Sequence, residues 1–76
     1  MAEPTQVIVE LIKGLIERRG DEPPEITPES RIAADLDLDS LELAELSAGL
    51  EDAFGRDPYS EGIVPATVGE LVAYFG

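Results

Sequence analysis

The chain has 76 residues, 43% of them hydrophobic, enough to bury one small core and more in keeping with a folded globule than with disorder. It has neither cysteine nor histidine, so it carries no disulfide, no thiolate nucleophile, no imidazole base and no thiolate or imidazole metal ligand. Seventeen acidic residues against five basic ones set the net charge at −12, which repels nucleic acid and anionic membranes.

Such acidity either serves only solubility or suits protein partners with basic patches, and composition alone does not choose between them. The first predicted element is a helix over residues 5–19, TQVIVELIKGLIERR. Ile8, Leu11, Ile12, Leu15 and Ile16 recur at three- and four-residue steps and share one face. Pro4 suits a first turn, Arg18 and Arg19 complement the negative helix end, and Gly20 is the stop. No apolar run has membrane-spanning length, and the N-terminus lacks a basic region followed by an apolar stretch. A soluble, cytoplasmic, monomeric protein is expected, with residues 1–76 as one domain. Met1 and the end at Gly76 favour a chain that acts independently.

A connection follows from Asp21 to Leu38, where Pro23, Pro24 and Pro28 exclude a continuous helix. A solvated linker has no need of Ile26, Ile32, Leu36 and Leu38; these residues are expected to pin the loop against the helices. Thr27-Pro28-Glu29 is expected to form a single helical turn. A loop this long in so small a domain is often functional.

The second helix is predicted over Ser40 to Phe54. Asp39 is a good N-cap, and Glu42 lies where it can bond back to the cap's own N–H. Leu38 and Leu43 are spaced for a hydrophobic staple. Leu43, Leu46, Leu50 and Phe54 line an inner face with Ala53 beside them, and Glu42, Glu45, Glu51 and Asp52 fall mostly outside it. Gly49 costs about 1 kcal/mol relative to alanine; it is either a tolerated small residue or a means of close packing. Gly55 ends the helix. Residues 56–66 form another loop, with a short helical turn within Tyr59–Ile63. Thr67 and Glu70 form a second capping box, opening a last helix with Val68, Leu71, Val72 and Phe75 on one stripe. The fold class is all-α: three longer helices and one short one.

Asp35, Asp37 and Asp39 alternate like the opening of an EF-hand loop. The sixth position should then be glycine and is Ser40; the twelfth should be glutamate and is Leu46. A serine hydrolase is disfavoured: Ser40 has no histidine base, Lys13 is the only lysine, and no nucleophile elbow surrounds the serine. Paired carboxylates of the glycosidase kind would need a cleft that 76 residues can scarcely build. What remains is attachment. A serine in the first turn of a helix is exposed, and a phosphodiester there meets the favourable end of the helix dipole, worth roughly 0.3–1 kcal/mol. Asp37 and Asp39 oppose that term, so the site suits an enzyme that brings its own positive charge. Taken alone, on helix-start statistics, Ser40 reads first as an ordinary first-turn serine.

The run Asp35-Leu36-Asp37-Leu38-Asp39-Ser40-Leu41-Glu42-Leu43 resembles the attachment motif of acyl carrier proteins, whose core is Asp-Ser-Leu. Ile26-Thr-Pro-Glu-Ser-Arg-Ile before it, Leu50-Glu-Asp-Ala-Phe-Gly after it and Thr67-Val-Gly-Glu-Leu-Val near the end resemble family segments in family order. The resemblance covers essentially the whole domain. It implies a small four-helix bundle with a short third helix and a long loop between helices 1 and 2. It implies a covalent 4′-phosphopantetheine arm on Ser40, installed from coenzyme A by a phosphopantetheinyl transferase. The arm's thiol holds acyl groups as thioesters, so a chain without cysteine acquires thiol chemistry without being an enzyme. By motif position the partner face comprises Asp39, Leu41, Glu42, Ala44, Glu45, Ala48 and Glu51. Its acids would meet basic residues on the transferase, a ketosynthase, an acyltransferase or an acyl/aminoacyl ligase, with Leu41 as apolar anchor.

Three departures from the family pattern bear on partner choice. Many relatives have glycine where Asp37 stands, bulkier apolar residues at the Ala44 and Ala48 positions, and an apolar residue at the Ser47 position. Ser47 would line a guest cavity or bond back to the backbone. Segment resemblance favours polyketide or other specialised-metabolite synthesis over housekeeping fatty-acid synthesis. The alternatives are an aminoacyl or peptidyl carrier of a nonribosomal pathway, and an acidic interaction module that carries nothing. The aspartate before Ser40 favours the acyl carrier.

Overall fold

The computed structural model describes residues 3–76. Three α-helices appear, α1 (Pro4–Arg18), α2 (Ser40–Phe54) and α3 (Val68–Phe75), with a single 3₁₀ turn at Tyr59–Glu61 between the last two. No strand occurs among the described residues; one isolated bridge joins Arg31 to Thr67. Helix α1 begins with Pro4 in its first turn and ends at Arg18, one residue from each predicted bound. Its Ile8, Ile12, Leu15 and Ile16 are buried, as their spacing requires, and α1 packs against both other helices.

The long loop is built as part of the core. Ile32, Leu36 and Leu38 are buried, and Ile26 packs partly against them. The loop is also laced to the lead-in of α3: the Ile32 amide donates to Ala66 O at 3.0 Å, Val68 N to Ser30 O at 3.0 Å, and Gly69 N to Pro28 O at 2.9 Å. These bonds satisfy backbone groups that burial would otherwise strand. Thr27-Pro28-Glu29 is not a helical turn. It is a simple turn closed by Ser30 N to Thr27 O at 3.0 Å, with Ser30 Oγ accepting from Thr27 N at 2.9 Å. The next rung does not form because its acceptor, Pro28 O, is taken by Gly69 N and its donor, Arg31 N, by the Asp35 carboxylate.

Helix α2 keeps its predicted bounds. Asp39 Oδ1 accepts from Glu42 N at 2.8 Å, and Glu42 Oε1 accepts from Asp39 N at 3.1 Å, a complete capping box. Leu46 and Leu50 are buried and Leu43 and Phe54 are half-buried, whereas Ala53, expected beside them, is exposed. An alanine loses little by facing water, so that position is set by its larger neighbours. Gly49 is placed by a close approach: a Cβ there would lie 3.0 Å from Leu11 Cδ2 on α1. Gly55 closes α2 in the left-handed region, φ 78°. Gly55→Ala is expected to cost about 1 kcal/mol, because a Cβ is penalised in that conformation; the shift in urea midpoint at constant m-value measures it.

The second capping box forms only in half. Thr67 Oγ1 accepts from Glu70 N at 3.1 Å, but the Glu70 carboxylate accepts from Ala66 N at 3.2 Å instead of from Thr67. The 3₁₀ turn stands where the short third helix is expected. Pro58 before it and Gly62 after it, with φ 80°, hold it to three residues. Phe54 and Phe75, ring centroids 4.4 Å apart, join the ends of α2 and α3.

Candidate functional site

Ser40 is the first residue of α2 and stands exposed at the end of the loop. Its own side chain is not the cap; Asp39 does that work. A shallow open groove runs from Ser40 past Leu43, Ala44 and Ser47 on α2 to Tyr59 and Ser60 of the 3₁₀ turn. Leu43 and Tyr59 are shared with a more apolar hollow bordered by Ile32, Ala34, Val64 and Pro65. The site therefore offers an accessible hydroxyl beside a mixed polar and apolar surface.

One side chain bridges the loop leading to Ser40 to both flanking helices. Arg19, at the C-terminal cap of α1, donates Nη1 to Asp37 O at 2.9 Å and to Glu42 Oε1 at 2.9 Å, Nη2 to Leu36 O at 3.1 Å, and Nε to Asp21 Oδ2 at 2.8 Å. Asp37 is the sole non-glycine residue with positive φ among those described, at 55°. Asp35 accepts from the Arg31 amide at 2.8 Å, which, against slight desolvation and with help from the Arg31 guanidinium, holds its carboxyl below the usual range. The acids of the motif are thus three different things: a turn-holder at Asp35, a left-handed hinge at Asp37 and a cap at Asp39.

Leu41, Ala44, Ala48 and Glu51, all assigned to the partner face, are exposed and recur on one side of α2, with Leu41 69% exposed. Asp39 is exposed with one oxygen engaged in the cap. Glu45 is half-buried and paired with Arg18 at 3.0 Å. Glu42 departs from its assignment: it is 8% exposed, and its carboxylate is committed to the Asp39 amide and to Arg19. It shapes the helix start and does not stand on the outer face.

The sequence reading missed two residues. At Arg19 the sequence shows only a complement to the α1 dipole; apart from Asp21, its partners lie 17 to 23 residues away, and no local pattern reports them. Asp57 is 2% exposed, and its Oδ1 accepts from Ser47 Oγ at 2.7 Å and Ser60 N at 3.0 Å. Burial pushes its carboxyl up, but the hydrogen bonds from Ser47, Ser60 and the Tyr59 backbone outweigh burial and hold it below the usual range. A signal was present, since Asp followed by Pro is a helix-start pair. Ser47 does not bond back to its own helix; it ties α2 to the 3₁₀ turn and lines the groove. Tyr59 is pushed above its ordinary value by burial and then by the Asp57 charge, so it faces the groove as a neutral phenol.

The geometry suits a phosphopantetheine. An exposed alcohol stands in the first turn of a fifteen-residue helix, with a groove beside it along which an extended arm can lie. Among the described residues no group of metal-binding side chains is found, and no helix is long and apolar enough to cross a membrane. The family model for the phosphopantetheine attachment site matches residues 6–75. The chain is 38% identical over 74 residues to a meromycolate extension acyl carrier protein of Mycolicibacterium aurum, covering 96% of this chain and 76% of that one. It is 37% identical to an acyl carrier protein of Rhodococcus erythropolis, over 91% of this chain and 77% of that one. Against an acyl carrier protein of an Exiguobacterium species it is 39% identical, over 91% and 89% of the two chains. No solved structure matches significantly. An attachment-site match over nearly the whole length, together with these relatives, means that the chain belongs to the acyl carrier protein family, whose cofactor is covalent 4′-phosphopantetheine.

Proposed function

We propose that Ser40 is the residue that bears the phosphopantetheine, and that residues 1–76 act as one cytoplasmic, monomeric, non-catalytic carrier domain. The observation that carries this reading is the exposed Ser40 hydroxyl in the first turn of α2, within the Asp-Ser-Leu motif. In the transfer, Ser40 Oγ bonds to the phosphorus bearing the pantetheine, the bond to the 3′,5′-ADP portion of coenzyme A breaks, and the hydroxyl proton passes to the transferase. The bound group supplies a thiol that carries an acyl chain as a thioester. The chain's own residues present the alcohol, orient the helix end and line the groove. The 3₁₀ turn takes the place of the short third helix of a four-helix carrier bundle.

The cargo is an acyl chain of polyketide or related specialised-metabolite type. Acyl over aminoacyl cargo is supported by relatives named as acyl carriers, and a chain with polar groups by Ser47 and Ser60 beside the groove. The exposed stripe of Leu41, Ala44, Ala48 and Glu51 meets the transferase, ketosynthase, acyltransferase or acyl ligase; its small alanines suit partners that approach the helix closely.

Intact mass after incubation with coenzyme A, magnesium and a broad-specificity transferase tests the reading. A phosphopantetheine-sized gain that peptide fragmentation maps to Ser40 is expected. An unchanged mass, or an adduct on another residue, overturns it.

A further inference from the structure

We propose that Arg19 is a positioning residue for modification at Ser40, acting by holding Asp37 in its left-handed turn. The inference rests on the reading of Ser40 as the acceptor. Its basis is a conjunction at one point of the loop. Asp37 has φ 55°, a conformation that disfavours any residue with a Cβ. The carbonyl of that same residue accepts from Arg19 Nη1 at 2.9 Å, and the preceding carbonyl, of Leu36, accepts from Nη2 at 3.1 Å. Nη1 also meets Glu42, whose carboxylate accepts the amide of Asp39, the residue before Ser40. One guanidinium thus links the end of α1, the strained turn and the start of α2.

The fork geometry is essential to this arrangement. Two adjacent carbonyls, a capping carboxylate and Asp21 are bound through three different nitrogens, which a lysine ammonium cannot reproduce from one point. The Arg19 side chain is only 28% exposed and that of Glu42 11%, so the pair is less screened than a surface ion pair. When the guanidinium is lost, Asp37 is free to leave the left-handed region. The three residues from Asp37 to Asp39 then no longer fix where the Ser40 alcohol meets the transferase.

The test is a double-mutant cycle on the intact chain, read as kcat/KM for phosphopantetheine transfer with the carrier as varied substrate. Arg19→Gln is expected to lower kcat/KM about tenfold while helical circular dichroism and a cooperative melt persist. Glycine adopts the left-handed turn without strain, so in an Asp37→Gly background the same Arg19→Gln change is expected to cost about threefold or less. A residue that serves stability alone would lose rate equally in both backgrounds, and that result overturns the proposal, as does a kcat/KM for Arg19→Gln within twofold of wild type. Should Arg19→Gln not fold, Arg19→Lys keeps the charge without the fork, and a wild-type kcat/KM in that variant overturns it equally. A wild-type chain that takes no adduct at Ser40 overturns the acceptor reading, and the proposal with it, before any Arg19 variant is made.

Discussion

Ser40→Ala is expected to abolish the phosphopantetheine-sized mass gain completely while leaving stability within about 0.5 kcal/mol of wild type. The two halves of this result come from different parts of the helix start. The helix is capped by Asp39, whose carboxylate accepts from Glu42 N, and that box is reinforced by Arg19 through Glu42. The Ser40 side chain is exposed at the first helical position, where alanine is at least as good a helix former as serine. Removing its hydroxyl therefore deletes the acceptor oxygen without touching the cap. Urea denaturation gives the stability and intact mass gives the adduct. The contrasting variant is Asp39→Ala, which keeps the hydroxyl but removes the N-cap, at a cost of about 1 kcal/mol. A gain retained in Ser40→Ala removes the hydroxyl from its role, and a large loss of stability in Ser40→Ala contradicts the division of labour between Ser40 and Asp39.

That division was readable in the sequence because it is local. An N-cap, a glutamate three residues on and apolar residues at helical spacing are all contained within one turn or two, and α2 accordingly begins and ends where the pattern places it. The same holds for Ile8, Ile12 and Ile16 on α1 and for the loop anchors Ile32, Leu36 and Leu38, since apolar residues in a polar loop have few places to go except the core.

Features that depend on distant partners were not readable. Glu42 has the right spacing both for a capping box and for an outward face, and sequence cannot say which wins; Arg19, brought near by the packing of α1 on α2, draws it inward. Glu70 has the capping-box spacing too, yet its carboxylate goes to Ala66 N, because the lead-in to α3 is fixed by backbone bonds to the long loop. Ser47 could serve its own helix, a guest or another segment, and only the path of residues 55–60 puts Asp57 within reach. Glu42 is thereby buried despite its charge, by a partner 23 residues away in the chain.

Asp57 is where such a partner has the largest effect on stability. Asp57→Ala is expected to cost about 2–3 kcal/mol, since it deletes a buried, charged acceptor and leaves Ser47 Oγ and the Ser60 amide without it. For a chain of this size that lowers the melting temperature by roughly 10–20 °C. Asp57→Asn keeps the carbonyl oxygen that both donors meet but removes its charge, and is expected to lose about half as much. The two variants also differ from wild type in acid. The folded carboxyl lies below its unfolded value of about 3.9, so between the two the unfolded chain holds a proton that the folded chain does not. Stability then rises with pH across that window: the contribution is complete above about pH 4 and is lost as pH falls through the folded value. Protonating the exposed acids in the same range relieves the self-repulsion of a chain with net charge −12 and works in the opposite direction. The difference between wild type and Asp57→Asn, measured by urea denaturation from pH 6 to pH 3, cancels that shared background. It should be constant above about pH 5 and shrink below about pH 4. If it stays flat throughout, the carboxylate is not the charged anchor that ties the 3₁₀ turn to α2, and the wall of the groove opposite Ser40 must be held by packing and by the turn's own hydrogen bonds.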